Sequence, residues 1–530
     1  MSYWAEVPEP REQALLIPIR LDEAVAAEHP VRLLDEIMRR LNWQSFEARY
    51  HGRIGQPPIH PRVVAGVLIY GMWTGLRSSR RLEEALVIRF DFRWLAEGQR
   101  MDHSTLSEFR RVHSQELKQL FIDVCLLAKE LGLLEFRTLG FDGTRERANN
   151  RRSGTRTLEQ LQQERAELAA RFEEYQKRAA EEDAREEEPF RLQNPLELPA
   201  ELRRAQQRLQ KLDAAIAKCA AAAESPDKPP RRLPITDLDA RVMPNKDGGH
   251  APNYTPTAMV EVGAGFVVHD DVLAEINEDN HLLESYEAVR QDFALATKPA
   301  LLADGLMATG ANIAGCEAEE IEFYSPLPLA DAAANPALRD DPSQAVAESD
   351  WDRLPTHPHK RRGESRRQLD KAAFVYDEAR NCYWCPAGKA LRHTLTTSEA
   401  SRSGRRIRCR FEAQPEDCQA CPLRARCVMG KAKSRQINRE QYEAHRERHA
   451  RRMATPEAQA RYAQRRHAGE RPFAVIKQQY GMRQFLLRGL RAVRDEWRWA
   501  VLAFNLQRIV SLLRSRAGPA VRLASFTPSY

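Results

Sequence analysis

Two short apolar runs, each ending in Asp-Gly, constrain the fold more than any other feature of the sequence. They read FRTLGFDG at residues 136–143 and PALLADG at residues 299–305. A β-prone run that stops at Asp-Gly indicates a strand followed by a turn. Helical and strand patterns alternate between them, which is typical of an α/β sheet with a mixed edge. Asp142 and Asp304 would then lie where such sheets bind ligands, although Asp-Gly is also an ordinary turn signal.

A third acidic residue stands in a basic, helix-prone segment near the C-terminal end. Glu470 and Lys477 are seven residues apart, about two helical turns, so they share a face. Pro472 either kinks this helix or marks its start. A carboxylate among cations can hold a metal while the cations hold phosphates, but a solvated basic helix has the same pattern. The cations considered for DNA contacts are Arg466, Lys477, Arg483 and Arg488.

Three carboxylates from these segments would form a hard, oxygen-rich site. Asp142, Asp304 and Glu470 suit Mg²⁺ or Mn²⁺ better than softer metals. Two such ions, about 4 Å apart, can clamp the attacking and leaving oxygens of a phosphoryl transfer. The sequence therefore predicts a two-ion site, against the alternative that these are three turn or surface residues among 75 acidic ones.

The first 135 residues are predicted to be mostly helical. Short basic helices such as the one containing MDHSTLSEFRR, with Arg110 and Arg111, could form a helix-turn-helix-like DNA reader. A helical bundle without a DNA role fits the same pattern. The formal net charge of +7 favours an acidic partner, of which nucleic acid is the commonest.

Leucine-rich, heptad-like patterns mark residues 155–225, with a proline-bearing acidic stretch between them. Two amphipathic helices joined by such a turn form an antiparallel hairpin, which we interpret as an inserted arm. A purely structural scaffold would use the same arm for self-association. That interpretation leaves the acidic residues and the cysteines unexplained.

Six of the nine cysteines fall between Cys382 and Cys427. Two Cys-x2-Cys pairs, starting at Cys382 and Cys418, are spaced as in a zinc ribbon. Six cysteines compete for four positions, so the spacing leaves the ligand set open. The arginine-rich stretch 402–410 fits either a nucleic-acid-contacting ribbon or a solvated loop, and residues 329–372 lack periodicity and are predicted to be a loop or linker.

Several classes of protein are excluded. The longest apolar run, Val63 to Leu76, is shorter than the roughly 20 residues of a membrane-spanning helix. The first residues lack the order of a secretory signal, so a cytoplasmic location is expected. Neither a phosphate-binding P-loop nor a dinucleotide fingerprint is present, so no nucleotide cofactor is expected.

The sequence resembles the DDE transposases of bacterial insertion sequences, in the group with an InsH-like helical N-terminal domain and a cysteine-rich insertion. The resemblance spans about residues 15–512. The segments that carry it are HPVRLLDEI, MDHSTLSEFRR, LGFDGTRERANN, LLADGLMATGANI, CPAGKAL, CQACPLRARC and ERPFAVIKQQYGMRQFLLRGLRAVRDEWRWAVLAFNLQRI.

This resemblance implies an α/β fold with an RNase H-like core interrupted by insertions. The implied units are a helical DNA-binding domain at 1–135, core segments at 136–154, 233–328 and 436–515, a helical hairpin at 155–232, a linker and zinc-ribbon-like module at 329–435, and a tail at 516–530.

The resemblance also implies roles for individual residues. Asp142, Asp304 and Glu470 are the expected catalytic Mg²⁺ ligands. Lys477 and Arg466 are expected on DNA phosphates, with Tyr462 as the nearest match to a tyrosine that precedes the glutamate in many relatives. The best-matching zinc ligands are Cys385, Cys418, Cys421 and Cys427.

The expected function is transposition. The protein would bind double-stranded DNA at terminal inverted repeats, as a homodimer, and would catalyse metal-dependent cleavage and strand transfer. The alternative is an inactive or domesticated relative that binds DNA as a regulator.

Overall fold

The computed structural model describes residues 20–52, 57–150, 155–183, 200–223, 232–245, 248–327, 335–361, 364–401, 404–465, 469–519 and 521–523. The N-terminal region is helical, as the sequence predicts. Its helices are α1 (Pro30–Arg40), α2 (Gln44–Glu47), α3 (Pro61–Trp73), α4 (Ser79–Ile88), α5 (Phe90–Leu95), α6 (His103–Val112) and α7 (Ser114–Glu130).

The long apolar run of the sequence forms the central helix of this region. α3 is buried along almost its whole length, because apolar residues occupy all of its faces. The indole N–H of Trp73 donates to the carbonyl oxygen of Ala503 at 2.7 Å. In the part of the chain that the structure describes, no helix is long and apolar enough to cross a membrane.

The middle of the chain forms a mixed sheet. Its principal strands follow the order β7–β6–β1–β8–β9, in which β6 runs antiparallel to both neighbours and β1, β8 and β9 run parallel. β2 and β5 pair with further residues of β6. The strands are β1 (Thr138–Gly143), β2 (Glu146–Arg147), β3 (Thr155–Arg156), β4 (Leu233–Pro234), β5 (Arg241–Pro244), β6 (His250–Glu261), β7 (Val267–Leu273), β8 (Ala300–Leu302) and β9 (Phe323–Tyr324).

Helices cover this sheet and join it to the N-terminal region. The covering helices are α10 (Leu282–Asp292), α11 (Gly310–Ala318), α14 (Glu443–Met453), α15 (Pro456–Ala463), α16 (Glu470–Gln478) and α17 (Leu490–Ala517). α17 packs against β7 on one side and against α3 and α7 on the other. The N-terminal helices and the sheet therefore share one continuous hydrophobic core. The mixed α/β architecture with a helical N-terminal region is confirmed.

Two long helices lie between β3 and β4 in the sequence. α8 (Leu158–Asp183) and α9 (Ala200–Ala223) pack against each other around the buried side chains of Leu161 and Leu212. Lys218 on α9 pairs with Asp239 at 2.5 Å, which ties this pair of helices to the sheet region. Their status as an insertion stays a prediction.

The cysteine-bearing segment has its own small core. Its elements are β10 (Thr356–Arg361), β11 (Glu364–Leu369), β12 (Val375–Asp377), β13 (Cys382–Trp384), β14 (Ala390–Ser401), β15 (Gly404–Ala413), β16 (Gln436–Glu440), α12 (Pro415–Gln419) and α13 (Arg424–Cys427). β12 to β16 form one antiparallel sheet in chain order. The stretch 329–372, expected to be a loop, contains the β10–β11 hairpin.

Candidate active site

The first two expected metal ligands lie at the same edge of the main sheet. β1 and β8 pair in parallel, with Gly140 opposite Leu302. Asp142 is the penultimate residue of β1, and Asp304 follows the end of β8 by two residues. If this register continued, Asp142 would lie level with Asp304 and on the same face. Both residues are thus near the carboxyl ends of parallel strands, where α/β sheets form ligand sites.

An arginine holds the carboxylate of Asp142. Oδ1 lies 3.1 Å from the Nη2 atom of Arg465, and the side chains are only 16% and 18% exposed. Oδ1 also accepts a hydrogen bond from the backbone N–H of Gly143 at 3.0 Å. The guanidinium therefore supplies the positive charge that a partly buried carboxylate requires.

Asp304 is fixed by the turn that follows its strand. It caps a short 3-10 helix, Gly305–Met307, because its Oδ1 accepts hydrogen bonds from the backbone N–H groups of Leu306 and Met307 at 2.9 and 3.3 Å. The hydroxyl of Ser325 donates to the Asp304 carbonyl oxygen at 2.5 Å. These contacts orient the side chain before any ligand binds.

Glu470 is the first residue of α16, and the chain passes over Asp142 immediately before it. A Cβ atom built on Gly469 would lie 3.1 Å from Oδ2 of Asp142. Pro472 is the third residue of the helix, so it marks the start of the helix and causes no kink. The Glu470 side chain is exposed. Arg466 lies outside the described residues.

Lys477 anchors α16 to the sheet. Its Nζ lies 2.8 Å from Oε1 of the buried Glu146 and donates to Oγ1 of Thr144 at 2.5 Å. Both partners follow β1 directly, so this lysine holds the glutamate helix against the strand that carries Asp142.

The other predicted DNA-binding arginines differ in exposure. Arg483 and Arg488 are exposed, and their guanidiniums donate to Gln478 and to Asn149, respectively. Arg111 is exposed and pairs with Glu108 at 2.6 Å.

Arg110, next to Arg111, faces inward. Its Nη1 donates to the carbonyl oxygen of Arg77 at 3.0 Å, and its Nε and Nη2 are shielded from solvent. Burial lowers the pKa of Arg110 to about 10. With most of its guanidinium shielded from solvent, Arg110 is not available to a DNA phosphate.

The three carboxylates are not assembled as ligands of a metal ion. Within the described ranges, no group of three or more His, Cys, Asp or Glu side chains is gathered in a way that could hold a metal ion. The donor chemistry of Asp142, Asp304 and Glu470 fits a hard divalent cation. The contact with Arg465 occupies Oδ1 of Asp142, so Arg465 would compete with an ion for that oxygen.

Arg465 is the site residue that sequence reasoning missed. The prediction named the adjacent Arg466, from its spacing to Glu470 and from the family resemblance, and Arg466 stays a prediction because it lies outside the described residues. One residue changes the direction of a helical side chain by about 100°, so two consecutive arginines cannot be told apart without the backbone path.

Four cysteines surround one small cavity in the cysteine-bearing sheet: Cys385, Cys418, Cys421 and Cys427. Cys382 and Cys409 are not among the lining residues. Burial, together with neighbouring thiols, raises the pKa of Cys385 and brings that of Cys427 to about 12. The described cysteines form no disulfide. The four thiols line the same cavity, but, like the carboxylates, they are not arranged as ligands of a metal ion.

Two family models match the chain. One is a transposase DDE domain, matched over residues 384–510, which includes most of the cysteine-bearing sheet, Glu470 and Lys477. The other is the transposase domain DUF772, matched over residues 19–112, which includes α1 to α6. Asp142 and Asp304 lie between the matched ranges. No curated protein matches the chain.

The DDE domain implies an RNase H-like core and a polynucleotide-cleaving enzyme of the transposase kind. The mixed sheet lies between the two matched ranges and carries the aspartates at one edge. Both the N-terminal and the C-terminal regions match transposase domains, and together these matches support a DDE transposase of an insertion sequence.

Proposed function

We propose that this transposase binds the terminal inverted repeats of its element and catalyses metal-dependent DNA cleavage and strand transfer, with Asp142, Asp304 and Glu470 as the metal-binding carboxylates. One observation carries the proposal. β1 and β8 pair in parallel just before Asp142 and Asp304, and the residue before Glu470 packs on the Asp142 side chain.

DDE transposases generally use divalent metal ions, and these carboxylates supply the oxygen donors that Mg²⁺ or Mn²⁺ prefers. Asp142, Asp304 and Glu470 would hold such ions, which would act as Lewis acids on the reacting phosphate. In the first step, water attacks phosphorus at the end of the element. Its oxygen joins the phosphate, and the 3′ oxygen leaves as a hydroxyl. That hydroxyl then attacks a phosphodiester of the target and displaces a second 3′ oxygen.

The chain's own residues position these reactants. The backbone contacts of Asp304 fix its carboxylate, and Lys477 holds α16, and with it Glu470, against the sheet. Arg483 and Arg488 are exposed on the segment that follows α16 and would bind backbone phosphates. Two element ends must be handled together, which favours a homodimer on double-stranded DNA.

The Arg465–Asp142 ion pair favours a second candidate function. A chain whose first aspartate stays paired with arginine would bind DNA without cutting it and would act as a regulator. Purified protein incubated with duplexes carrying the element ends, in Mg²⁺, Mn²⁺ or EDTA, separates the two candidates. Divalent-dependent release of a 3′-hydroxyl end supports the transposase, whereas binding without cleavage in either metal supports the regulator.

Replacing Arg465 should raise the affinity of the protein for a divalent metal ion. In Arg465→Gln, Asp142 loses its cationic partner, so we expect Mn²⁺ affinity without DNA to rise about tenfold, equivalent to about 1.4 kcal/mol. Isothermal titration calorimetry measures this. Arg461→Gln is the control, since Arg461 is an exposed arginine on the preceding helix α15. Equal affinities in the wild type and Arg465→Gln would show that the ion pair does not compete with metal.

We also propose that Cys385, Cys418, Cys421 and Cys427 form a structural zinc site, because they line one cavity and thiolates are preferred zinc ligands. We expect about one zinc per chain by mass spectrometry, lost in Cys418→Ser and retained in Cys409→Ser, whose cysteine lies off the cavity. Zinc loss in both variants, or wild-type protein without zinc, would show that these four cysteines are not the zinc site.

A further inference from the structure

The β14–β15 hairpin is longer than the module that supports it. Its two strands pair from Leu391 opposite Ala413 to Ser401 opposite Gly404. At its base, Leu391 and Phe411 are buried in the core of the cysteine-bearing sheet. β13 pairs only with residues 390–392, and β16 only with residues 408–412. Within the described ranges, the remainder of the hairpin has no flanking strand and projects as a two-stranded ribbon.

Arginines occupy one face of the hairpin: Arg408 and Arg410 lie where β16 flanks it, and Arg406 lies in the projecting ribbon. Arg406, Arg408 and Arg410 alternate along β15, so their side chains lie on the face opposite to the buried Phe411. Successive members are about 6.7 Å apart, and the row is about 13 Å long. Leu395 and Ile407, in the projecting part, remain 45% and 37% exposed. A ribbon that serves only to stabilise its own module needs neither a row of arginines nor exposed apolar side chains.

Acidic neighbours offset part of the positive charge of these arginines but leave their face of the hairpin accessible. Arg406 donates to Glu440, and Arg408 lies 3.8 Å from the same carboxylate. Glu399 stands opposite Arg406. Glu440 is 44% exposed, and ion pairs at such exposure contribute about 0–1 kcal/mol. A phosphate can therefore replace this partner at little cost.

A hairpin that carries arginines on one face and extends into a two-stranded ribbon is suited to duplex DNA. The major groove, about 12 Å wide, admits such a ribbon. DNA carries a charge about every 3.4 Å along each strand, so a 13 Å row faces about four phosphates. The hydroxyls of Thr394 and Thr397 lie on the same strand pair. Resting on the proposed transposase function, we propose that the β14–β15 hairpin is a DNA-binding arm that lies in the major groove, with Arg406, Arg408 and Arg410 on backbone phosphates.

The test compares two double variants of the full chain. Arg406→Gln/Arg410→Gln removes two charges from the arm. Arg353→Gln/Arg380→Gln removes two from exposed arginines elsewhere in the same module, each paired with an aspartate three residues earlier. Both changes lower the net charge equally. The probe is a duplex of about 30 base pairs of arbitrary sequence, titrated at several salt concentrations.

We expect the arm variant to bind at least about tenfold more weakly at low salt. Its slope of log K against log salt should flatten by about 1.8, because each phosphate that an arginine no longer neutralises reduces the slope by about 0.9. The control variant should match the wild type in both quantities. An unchanged slope in the arm variant overturns the proposal, as does an equal change in the control or a failure of the wild type to bind duplex DNA.

A second copy of the chain is the competing occupant of the ribbon. Sedimentation of the arm variant tests this alternative. If a dimer dissociates in the variant while the salt slope of DNA binding is unchanged, the hairpin serves self-association and the DNA arm is overturned. A failure of the proposed function can be distinguished from a failure of the proposed arm. If arm variants bind DNA normally and wild-type protein still cleaves element ends, only the arm is wrong. If wild-type protein binds through the arm but never cleaves, only the catalytic proposal is wrong.

Discussion

Asp142→Asn will bind element-end DNA like the wild type and will cleave it at least about 10³-fold more slowly, a rise of about 4 kcal/mol in the barrier. The substitution keeps the size of the side chain and removes its charge. Asparagine can still accept the Gly143 N–H at 3.0 Å, so β1 should keep its path. The variant lacks the anionic oxygen that a divalent ion requires at the reacting phosphate.

Single-turnover cleavage in Mg²⁺ and a parallel binding titration measure the two quantities separately. Asp352→Asn is the matched control, because Asp352 is fully exposed in the cysteine-bearing module. It should cleave at the wild-type rate. Cleavage by Asp142→Asn within tenfold of the wild type would show that the first metal ligand has been assigned wrongly.

Local signals were sufficient to predict the elements of the main sheet. The stretch TAMVEVGAGFVVHDDVLA predicts two strands broken at Gly263 and Gly265, and the structure has β6 and β7 there. The runs before Asp142 and Asp304 are likewise strands. Each of these predictions rests on a few consecutive residues, because strand propensity and turn chemistry act within that range.

The pairing of those strands could not be predicted in the same way. β1 and β8 are separated by more than 150 residues, and only their parallel pairing puts Asp142 and Asp304 near the same ends of adjacent strands. The direction of the Arg110 side chain could not be predicted either, since MDHSTLSEFRR does not show that Arg110 donates to the backbone of Arg77. The β10–β11 hairpin was missed because THPHKR and ESRRQL contain a single leucine, Leu369, among polar residues and a proline, so the sequence lacks the alternation that indicates a half-buried strand.

Glu496→Gln will lower the free energy of unfolding by about 3–5 kcal/mol, the cost of breaking a buried ion pair by removing one partner. Glu496 is 4% exposed and lies 2.6 Å from the Nη2 atom of Arg77, which is 9% exposed. Its carboxylate also accepts the backbone N–H groups of Leu486 and Leu487 at 2.9–3.1 Å. The variant leaves the Arg77 charge buried, with the shielded guanidinium of Arg110 close by.

The destabilisation should also reach the candidate active site. Arg77 donates to the carbonyl oxygens of Gly481 and Gln484 at 3.1 and 2.8 Å, so the pair fixes the segment that follows α16. Urea unfolding followed by circular dichroism measures stability. Glu108→Gln is the control, because its exposed pair with Arg111 should contribute only about 0–1 kcal/mol. Replacing both partners, as Arg77→Met/Glu496→Leu, should recover part of the stability, since no buried charge is left unpaired. A double variant less stable than Glu496→Gln would mean that the backbone hydrogen bonds of this network, more than its charges, hold the N-terminal helices to the segment that follows α16.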